Sequence, residues 1–223
     1  MKNVDYLIVI PKLGLWSAEN NARVRDESRS LCYFLGMKLH EAKIKSNNFS
    51  GIYFIGEEEL REVYFMNSLM VISVKFIESL YPSKGDVIAI NEYLIERIND
   101  GLLKVKEKYS EIFNVIIQGI EEFRKADYKC IWIHKKKKIK KYLFRLRCEM
   151  NIDYFHLYLE ILDKDLCVIF SKIILETPPN EYSFKYRFKD LKIDDEGNVV
   201  VTDCANEVWY KFNPKDEVEE YLD

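Results

Sequence analysis

The sequence lacks every common motif that would mark a catalytic or cofactor-binding site. It contains no GxGxxG, P-loop, GxSxG or HExxH pattern, and its eight glycines are too scattered to form a phosphate-binding loop. Only three histidines are present, His40, His134 and His156, and none lies near an obvious nucleophile in the sequence. We therefore expect no bound cofactor and favour a non-enzymatic function.

Cysteine is too sparse to build a disulfide framework or a zinc site. The five cysteines form no CxxC pair, and no histidine lies at a zinc-ligand interval from any of them. Scattered free thiols are typical of a reducing compartment. The sequence also lacks a long uncharged apolar segment and an amino-terminal export signal. It therefore predicts a cytoplasmic protein with neither a metal nor a membrane partner.

Neither sign of charge is in large excess. The formal net charge is -3, so no global field attracts nucleic acid, and any such binding needs a local patch. Hydrophobic residues make up 48% of the chain, including 15 Tyr and 13 Phe, which is enough for a sizeable core. We predict a single domain over 1–223, with a helix-rich part at 1–128, an antiparallel β-rich part at 129–213 and an acidic tail at 214–223.

Helical periodicity dominates the first part of the chain. An apolar strand is expected at 4–10, before Pro11. After it, apolar residues recur at three- and four-residue steps, and Pro or Gly follows several of these segments. The sequence predicts helices over 17–45, 57–81, 90–98 and 102–123.

The period of the apolar residues changes to two at Cys130. Apolar and charged residues alternate through most of the remaining chain, and turn-forming residues separate the segments. We predict strands over 130–134, 142–150, 154–161, 166–176, 182–189, 199–202 and 208–212, which form one antiparallel meander. The expected class is α+β, with the helical half packed on one face of that sheet. The residues expected to be buried together are Phe144, Leu146, Phe155, Leu157, Tyr186 and Phe188.

The run Lys135–Lys141 is the strongest local charge feature. Closely spaced lysines can neutralise phosphates and would then bind nucleic acid with little base specificity. A lysine-rich connection between two strands can instead keep the protein soluble and protect the edge of the sheet. We predict that the run is a solvated hairpin loop, and phosphate binding stays open as the alternative.

Strand alternation also predicts a polar face of the sheet that is rich in Tyr and Arg. These two residue types often supply most of the binding energy at protein interfaces. The candidate partner-binding residues are Arg145, Arg147, Tyr154, His156, Tyr158, Lys185, Arg187 and Lys189.

The predicted function is a non-catalytic protein-binding module. We expect the partner to be another protein, such as a toxin or enzyme that an immunity-type inhibitor neutralises by occlusion. One alternative is a nucleic-acid-associated protein that uses the lysine run and the basic face. A further alternative is an enzyme with a motif-free site near His156, Tyr158 and Glu160.

Overall fold

The computed structural model describes residues 1–216. Contacts divide these residues into two units, of which the first comprises 1–130 and 151–153. The second comprises 131–150 and the residues from Tyr154 onward. The single domain over 1–223 stays a prediction. Most of the predicted acidic tail, 214–223, lies outside the described residues.

A mostly parallel four-stranded sheet forms the centre of the first unit. Its strand order is β2-β4-β6-β5, and β5 alone runs antiparallel to its neighbour. A separate two-stranded ladder joins β1 to β3. The strands are β1 (Lys2–Asn3), β2 (Tyr6–Pro11), β3 (Lys45–Ser46), β4 (Gly51–Gly56), β5 (Tyr64–Met66) and β6 (Leu69–Val74).

Helices of the first unit pack against this sheet. They are α1 (Ala18–Glu27), α2 (Arg29–Glu41), α3 (Val87–Leu103) and α4 (Ser110–Lys125). Helices α1 and α2 contact β2, α3 contacts β4 and β6, and α4 packs on α2. The predicted interruption between 98 and 102 is absent, because α3 continues through Gly101 to Leu103. Gly101 lies against the buried ring of Phe54, where a Cβ would approach the Cδ1 atom to 2.6 Å.

The helix predicted over 57–81 is wrong. Strands β5 and β6 lie within that segment and are joined at Asn67 and Ser68, which both have positive φ angles, of 47° and 66°. Two successive positive φ angles are the geometry of a tight β-hairpin turn. Strand β6 is buried on both faces, from Met70 to Val74, so its sequence is an apolar run without alternation.

The second unit contains a four-stranded antiparallel meander. Its order is β10-β9-β8-β7, and the predicted pairing of the segments 142–150 and 154–161 is confirmed by the register from Leu143–Leu162 to Met150–Phe155. The strands are β7 (Cys130–Ile139), β8 (Tyr142–Met150), β9 (Phe155–Leu162) and β10 (Val168–Thr177).

A separate three-stranded antiparallel sheet follows in the same unit. It consists of β11 (Asp190–Ile193), β12 (Val199–Thr202) and β13 (Val208–Phe212), so the prediction of one continuous sheet is wrong. The strand predicted over 182–189 is also wrong, because a short helix, α5 (Glu181–Phe184), begins there. Asn180 starts it by accepting a hydrogen bond from the Tyr182 amide.

The α+β class is confirmed, since helices and several sheets are present. The first half of the chain is not only helical, however, because it contains its own sheet. The packing of this half on one face of the meander stays a prediction. Among residues 1–216, no helix combines the length and the apolar composition needed to cross a membrane.

Candidate functional site

Five of the eight predicted binding residues lie on one face of the meander. Arg145 and Arg147 alternate along β8, and the register places Arg147 opposite Tyr158 of β9. His156 is two positions away on the same strand, and the ring of Tyr154, just before β9, stacks on the His156 ring with centroids 3.9 Å apart. With Glu149 and Glu160, these five residues form what we call the Arg–Tyr face.

The other three predicted residues, Lys185, Arg187 and Lys189, do not belong to this face. Phe184 and Phe188 stack on Phe155, with ring centroids at 3.7 and 5.8 Å. Phe155 points to the opposite side of β9 from its neighbour His156, so this segment lies across the sheet.

The alternation from Tyr182 to Phe188 misled the sequence analysis. Phe184 and Phe188 are four residues apart, a spacing that one face of a helical turn shares with a strand. Both rings are buried, whereas Tyr186 is 58% exposed instead of buried as predicted.

Glu160 is the centre of the Arg–Tyr face. One carboxylate oxygen accepts a hydrogen bond from Arg145 Nε at 2.6 Å, and the other accepts from Arg147 Nε at 2.7 Å. The side chain of Glu160 is only 5% exposed. Burial alone would raise the pKa of the Glu160 carboxyl, but the hydrogen bonds from Arg147 and Arg145 outweigh it and hold that pKa below its usual range.

Arg147 connects Glu160 to a second carboxylate. Its Nη1 atom donates to Glu149 at 2.7 Å, and the hydroxyl of Tyr154 donates to the other oxygen of Glu149 at 2.9 Å. The guanidinium carbon of Arg147 also lies 3.8 Å from the centre of the Tyr158 ring. A stacked and doubly bonded guanidinium is fixed in orientation.

The carboxylates of this network had no assigned role in the predicted binding site. Alternation along β8 and β9 places Glu149 and Glu160 on the same side as the arginines. Which arginine meets which carboxylate depends on the hairpin register, and the sequence predicted that pairing only in outline.

His156 has neighbours on both ring nitrogens. Its Nε2 atom lies 3.1 Å from Glu176 of β10, and its Nδ1 atom lies 3.4 Å from the Tyr158 hydroxyl. A general base needs such a positioned partner and also a concave substrate site. The Glu176 side chain is 70% exposed and is therefore solvated, whereas the His156 side chain is only 14% exposed.

The lysine run is part of a strand and not a loop. Residues Lys135–Lys138 lie on β7, and the turn is limited to Lys140 and Lys141. Trp132 and His134, also on β7, contact Phe155 and Phe188 on the apolar side of the meander. All four of these lysines are exposed.

Exposed isoleucines flank the Arg–Tyr face on both outer strands. Ile131 and Ile133 of β7 are 45% and 42% exposed, and alternation with Trp132 and His134 sets them on the side of the Arg–Tyr face. Ile173 of β10 is 42% exposed and pairs directly with Tyr158. The face thus combines fixed polar groups with accessible apolar groups.

The first unit has a second location where ligands often bind, the carboxyl end of a parallel sheet. The amino terminus of α1 lies there, and such a terminus attracts anions. The Glu78 carboxylate occupies it, accepting hydrogen bonds from the Ser17 amide at 3.1 Å, the Ser17 hydroxyl at 2.6 Å and Asn20 Nδ2 at 2.9 Å. These bonds, led by that of the Ser17 hydroxyl, lower the pKa of Glu78. The protein's own carboxylate therefore occupies the helix terminus that would attract an anion.

Comparison with protein-family models, with curated proteins and with solved structures finds no match to this chain.

Proposed function

We propose that this chain is a non-catalytic protein-binding module and that the Arg–Tyr face is its binding surface. The observation that carries the proposal is the juxtaposition of Arg147, stacked on Tyr158, with Ile173, an exposed isoleucine opposite the same tyrosine. Interfaces concentrate their energy in Tyr, Trp and Arg anchors that are surrounded by apolar contacts.

The rigidity of the face supports this proposal. Binding is weakened when long side chains must be immobilised, at about 0.5–1.5 kcal/mol for each one. Arg145 and Arg147 are already held by Glu160, so part of this ordering is complete before a partner arrives. A face of this kind suits a partner that it covers, which is how an inhibitor blocks a toxin or enzyme by occlusion.

More specifically, we propose that the module is an immunity-type inhibitor of a toxin or enzyme and that it acts in the cytoplasm. Occlusion requires surface complementarity and no cofactor.

Site-specific photocrosslinking tests the binding surface. Benzoylphenylalanine is introduced at Ile173 or Ile133 on the Arg–Tyr face, and at Tyr182 as a matched control that is 74% exposed on the other side of the meander. Each full-length protein is irradiated in an extract of the source cells, and adducts are identified by mass. We expect one protein to be crosslinked from Ile173 and Ile133 but not from Tyr182.

A competing variant completes the test. Excess unlabelled wild-type chain should suppress the adduct, whereas the Tyr158→Ala variant should suppress it at least about tenfold less well if Tyr158 is a hot spot. Equal crosslinking from Tyr182, or equal competition by a folded Tyr158→Ala variant, would show that the face is not the binding surface.

A further inference from the structure

Three turns of the second unit share one hydrogen-bonding pattern. In each of them an Asp side chain accepts hydrogen bonds from the backbone amides two and four residues later, at 2.8–3.1 Å. The residue three positions after the Asp has a positive φ angle in all three turns. The turns are 163–167 between β9 and β10, 194–198 between β11 and β12, and 203–207 between β12 and β13.

One of these turns carries a residue that does not suit its backbone. The positive-φ position holds Gly197 in the second turn and Asn206 in the third, and both residue types adopt this conformation readily. In the first turn it holds Leu166, whose φ angle is 62° and whose bulky side chain raises the energy of a left-handed backbone. Leu166 is also 65% exposed, so packing within the protein compensates little for this cost. Neither the turn nor the core therefore explains a leucine at this position.

Leu166 begins a run of four exposed residues that are all apolar. Cys167 is exposed, and Val168 and Ile169 are 48% and 44% exposed. The register with β9 shifts directly after Val168, so Ile169 is an extra residue in a bulge of the outer strand. We call the segment Leu166–Ile169 the hairpin tip. It presents apolar groups to solvent where β9 turns into β10.

The hairpin tip adjoins the Arg–Tyr face. Val168 pairs with Leu162 of β9, and Leu162 pairs with Leu143 of β8. Residues that pair directly share a side of the sheet, and Leu143 is two positions before Arg145 on the same strand. Val168 therefore lies on the side of the Arg–Tyr face. A partner that covers this face meets the hairpin tip at one end of it.

We infer that Leu166 anchors the hairpin tip in a concave apolar site on the protein partner of the Arg–Tyr face. This inference rests on the proposed function and adds the shape and chemistry of the partner's site to it. An exposed side chain at a turn can enter a cleft that the face of a sheet cannot enter, and removal of its apolar surface from water then favours binding. The two amides bound to Asp163 hold the turn in place, so little ordering is needed when the partner binds.

The charges of the turn favour a protein over a membrane or a nucleic acid. Asp163 and Asp165 outnumber the single cation between them, Lys164. The turn therefore offers no net attraction to anionic lipid headgroups or to phosphates, which usually contribute much of the binding to such partners. An apolar cleft on a protein does not need that attraction.

The test compares turn variants of the full chain as competitors for the adduct that benzoylphenylalanine at Ile173 forms in the cell extract. Leu166→Asn introduces the residue type that the third turn has at this position, so it keeps the turn and removes the apolar group. Leu166→Met retains an apolar side chain. The matched control is Asn206→Gly, which changes the same position of the turn between β12 and β13. Urea denaturation measures the stability of each variant.

We expect Leu166→Asn to suppress the Ile173 adduct at least about tenfold less well than the wild type does. Leu166→Met and Asn206→Gly should suppress it about as well as the wild type. The urea midpoint of Leu166→Asn should equal or exceed that of the wild type, because Asn fits a positive φ angle better than Leu. Benzoylphenylalanine at Leu166 should form an adduct with the same protein as benzoylphenylalanine at Ile173.

The possible failures point to different errors. If Leu166→Asn competes as well as the wild type, the Arg–Tyr face remains the binding surface and only the anchor is wrong. A lower urea midpoint for Leu166→Asn would show that Leu166 serves the fold, which also contradicts the inference. The absence of any adduct from Ile173 and Ile133 would contradict the proposed function itself, and the inference with it.

Two experiments on the purified chain identify other occupants of the hairpin tip. With benzoylphenylalanine at Leu166, an adduct of twice the chain's mass would show that the tip binds a second copy. Sedimentation of the wild type with phosphatidylserine vesicles, if Leu166→Asn abolishes it, would show that the tip binds a membrane. Either result would overturn the inference of a cleft on a different protein.

Discussion

Replacing Glu160 with glutamine should strongly destabilise the second unit. The carboxylate accepts two short hydrogen bonds from guanidinium groups, and bonds to charged groups contribute about 1.5–3 kcal/mol each. An amide retains one acceptor oxygen but presents an N–H group to the second arginine, so one favourable contact becomes unfavourable. The arginine side chains are 25% and 17% exposed, which lets water compensate in part. We therefore expect Glu160→Gln to lower the free energy of unfolding by about 2–4 kcal/mol.

The assay is urea denaturation followed by fluorescence, with the slope against urea compared between variants. Glu176→Gln is the matched control, because this carboxylate on the neighbouring strand also forms an ion pair but is 70% exposed. Exposed pairs contribute little, so its effect should stay below about 1 kcal/mol.

The pH dependence of the Glu160→Gln effect provides a second check. The folded-state pKa of Glu160 is below its usual value of 4.5, so its contribution to stability is present above that pH. The contribution is lost as the pH falls through the folded pKa, because the folded and unfolded chains then both carry the protonated acid. The difference between wild type and Glu160→Gln should narrow below pH 4.5. A difference under about 0.5 kcal/mol at neutral pH, or one that does not narrow in acid, would refute this account of the network.

Two further changes test the packing of each unit. Gly101→Ala should lower the free energy of unfolding by about 1–3 kcal/mol in urea denaturation, although alanine favours helices. The reason is that the new Cβ would lie 2.6 Å from Phe54 and 2.9 Å from Val74. A gain in stability would contradict this close packing. Burial lowers the pKa of His134, so NMR should show its ring titrating below the usual 6.5. The stability that depends on the neutral ring is therefore present above pH 6.5 and declines as the pH falls. His134→Gln should flatten this decline, and an unchanged dependence of stability on pH would contradict the explanation.

The sequence predicted the elements whose periodicity had only one explanation. Alternation predicted strands over 142–150 and 154–161, and both are present as β8 and β9, with one face buried and part of the other face half-buried. Of the helix predicted over 102–123, the part from Ser110 is present as α4, whereas Leu102 and Leu103 belong to α3 and 104–109 form turns. Errors arose where the apolar spacing suited two structures, as at Phe184 and Phe188, or where burial on both faces removed the alternation, as in β6.

Alternation in the sequence also predicted part of the candidate site. Alternation grouped Arg145, Arg147, His156 and Tyr158 correctly, because residues two apart on a strand share a face. It failed for Lys185, Arg187 and Lys189, whose positions depended on a strand that does not form.

The energetics of Glu160 bear on why this network exists in the protein. A buried ion pair adds little stability by itself, since replacing all its members with apolar residues of similar volume is often neutral or stabilising. Stability alone therefore does not explain two arginines and a carboxylate on a half-buried face. Orientation offers a reason, because Glu160 holds Arg145 by its Nε atom, and the terminal nitrogens of Arg145 donate no hydrogen bond within residues 1–216. Arg145→Lys would keep the positive charge and lose the guanidinium geometry. This variant therefore separates the contribution of the charge from that of the fixed orientation.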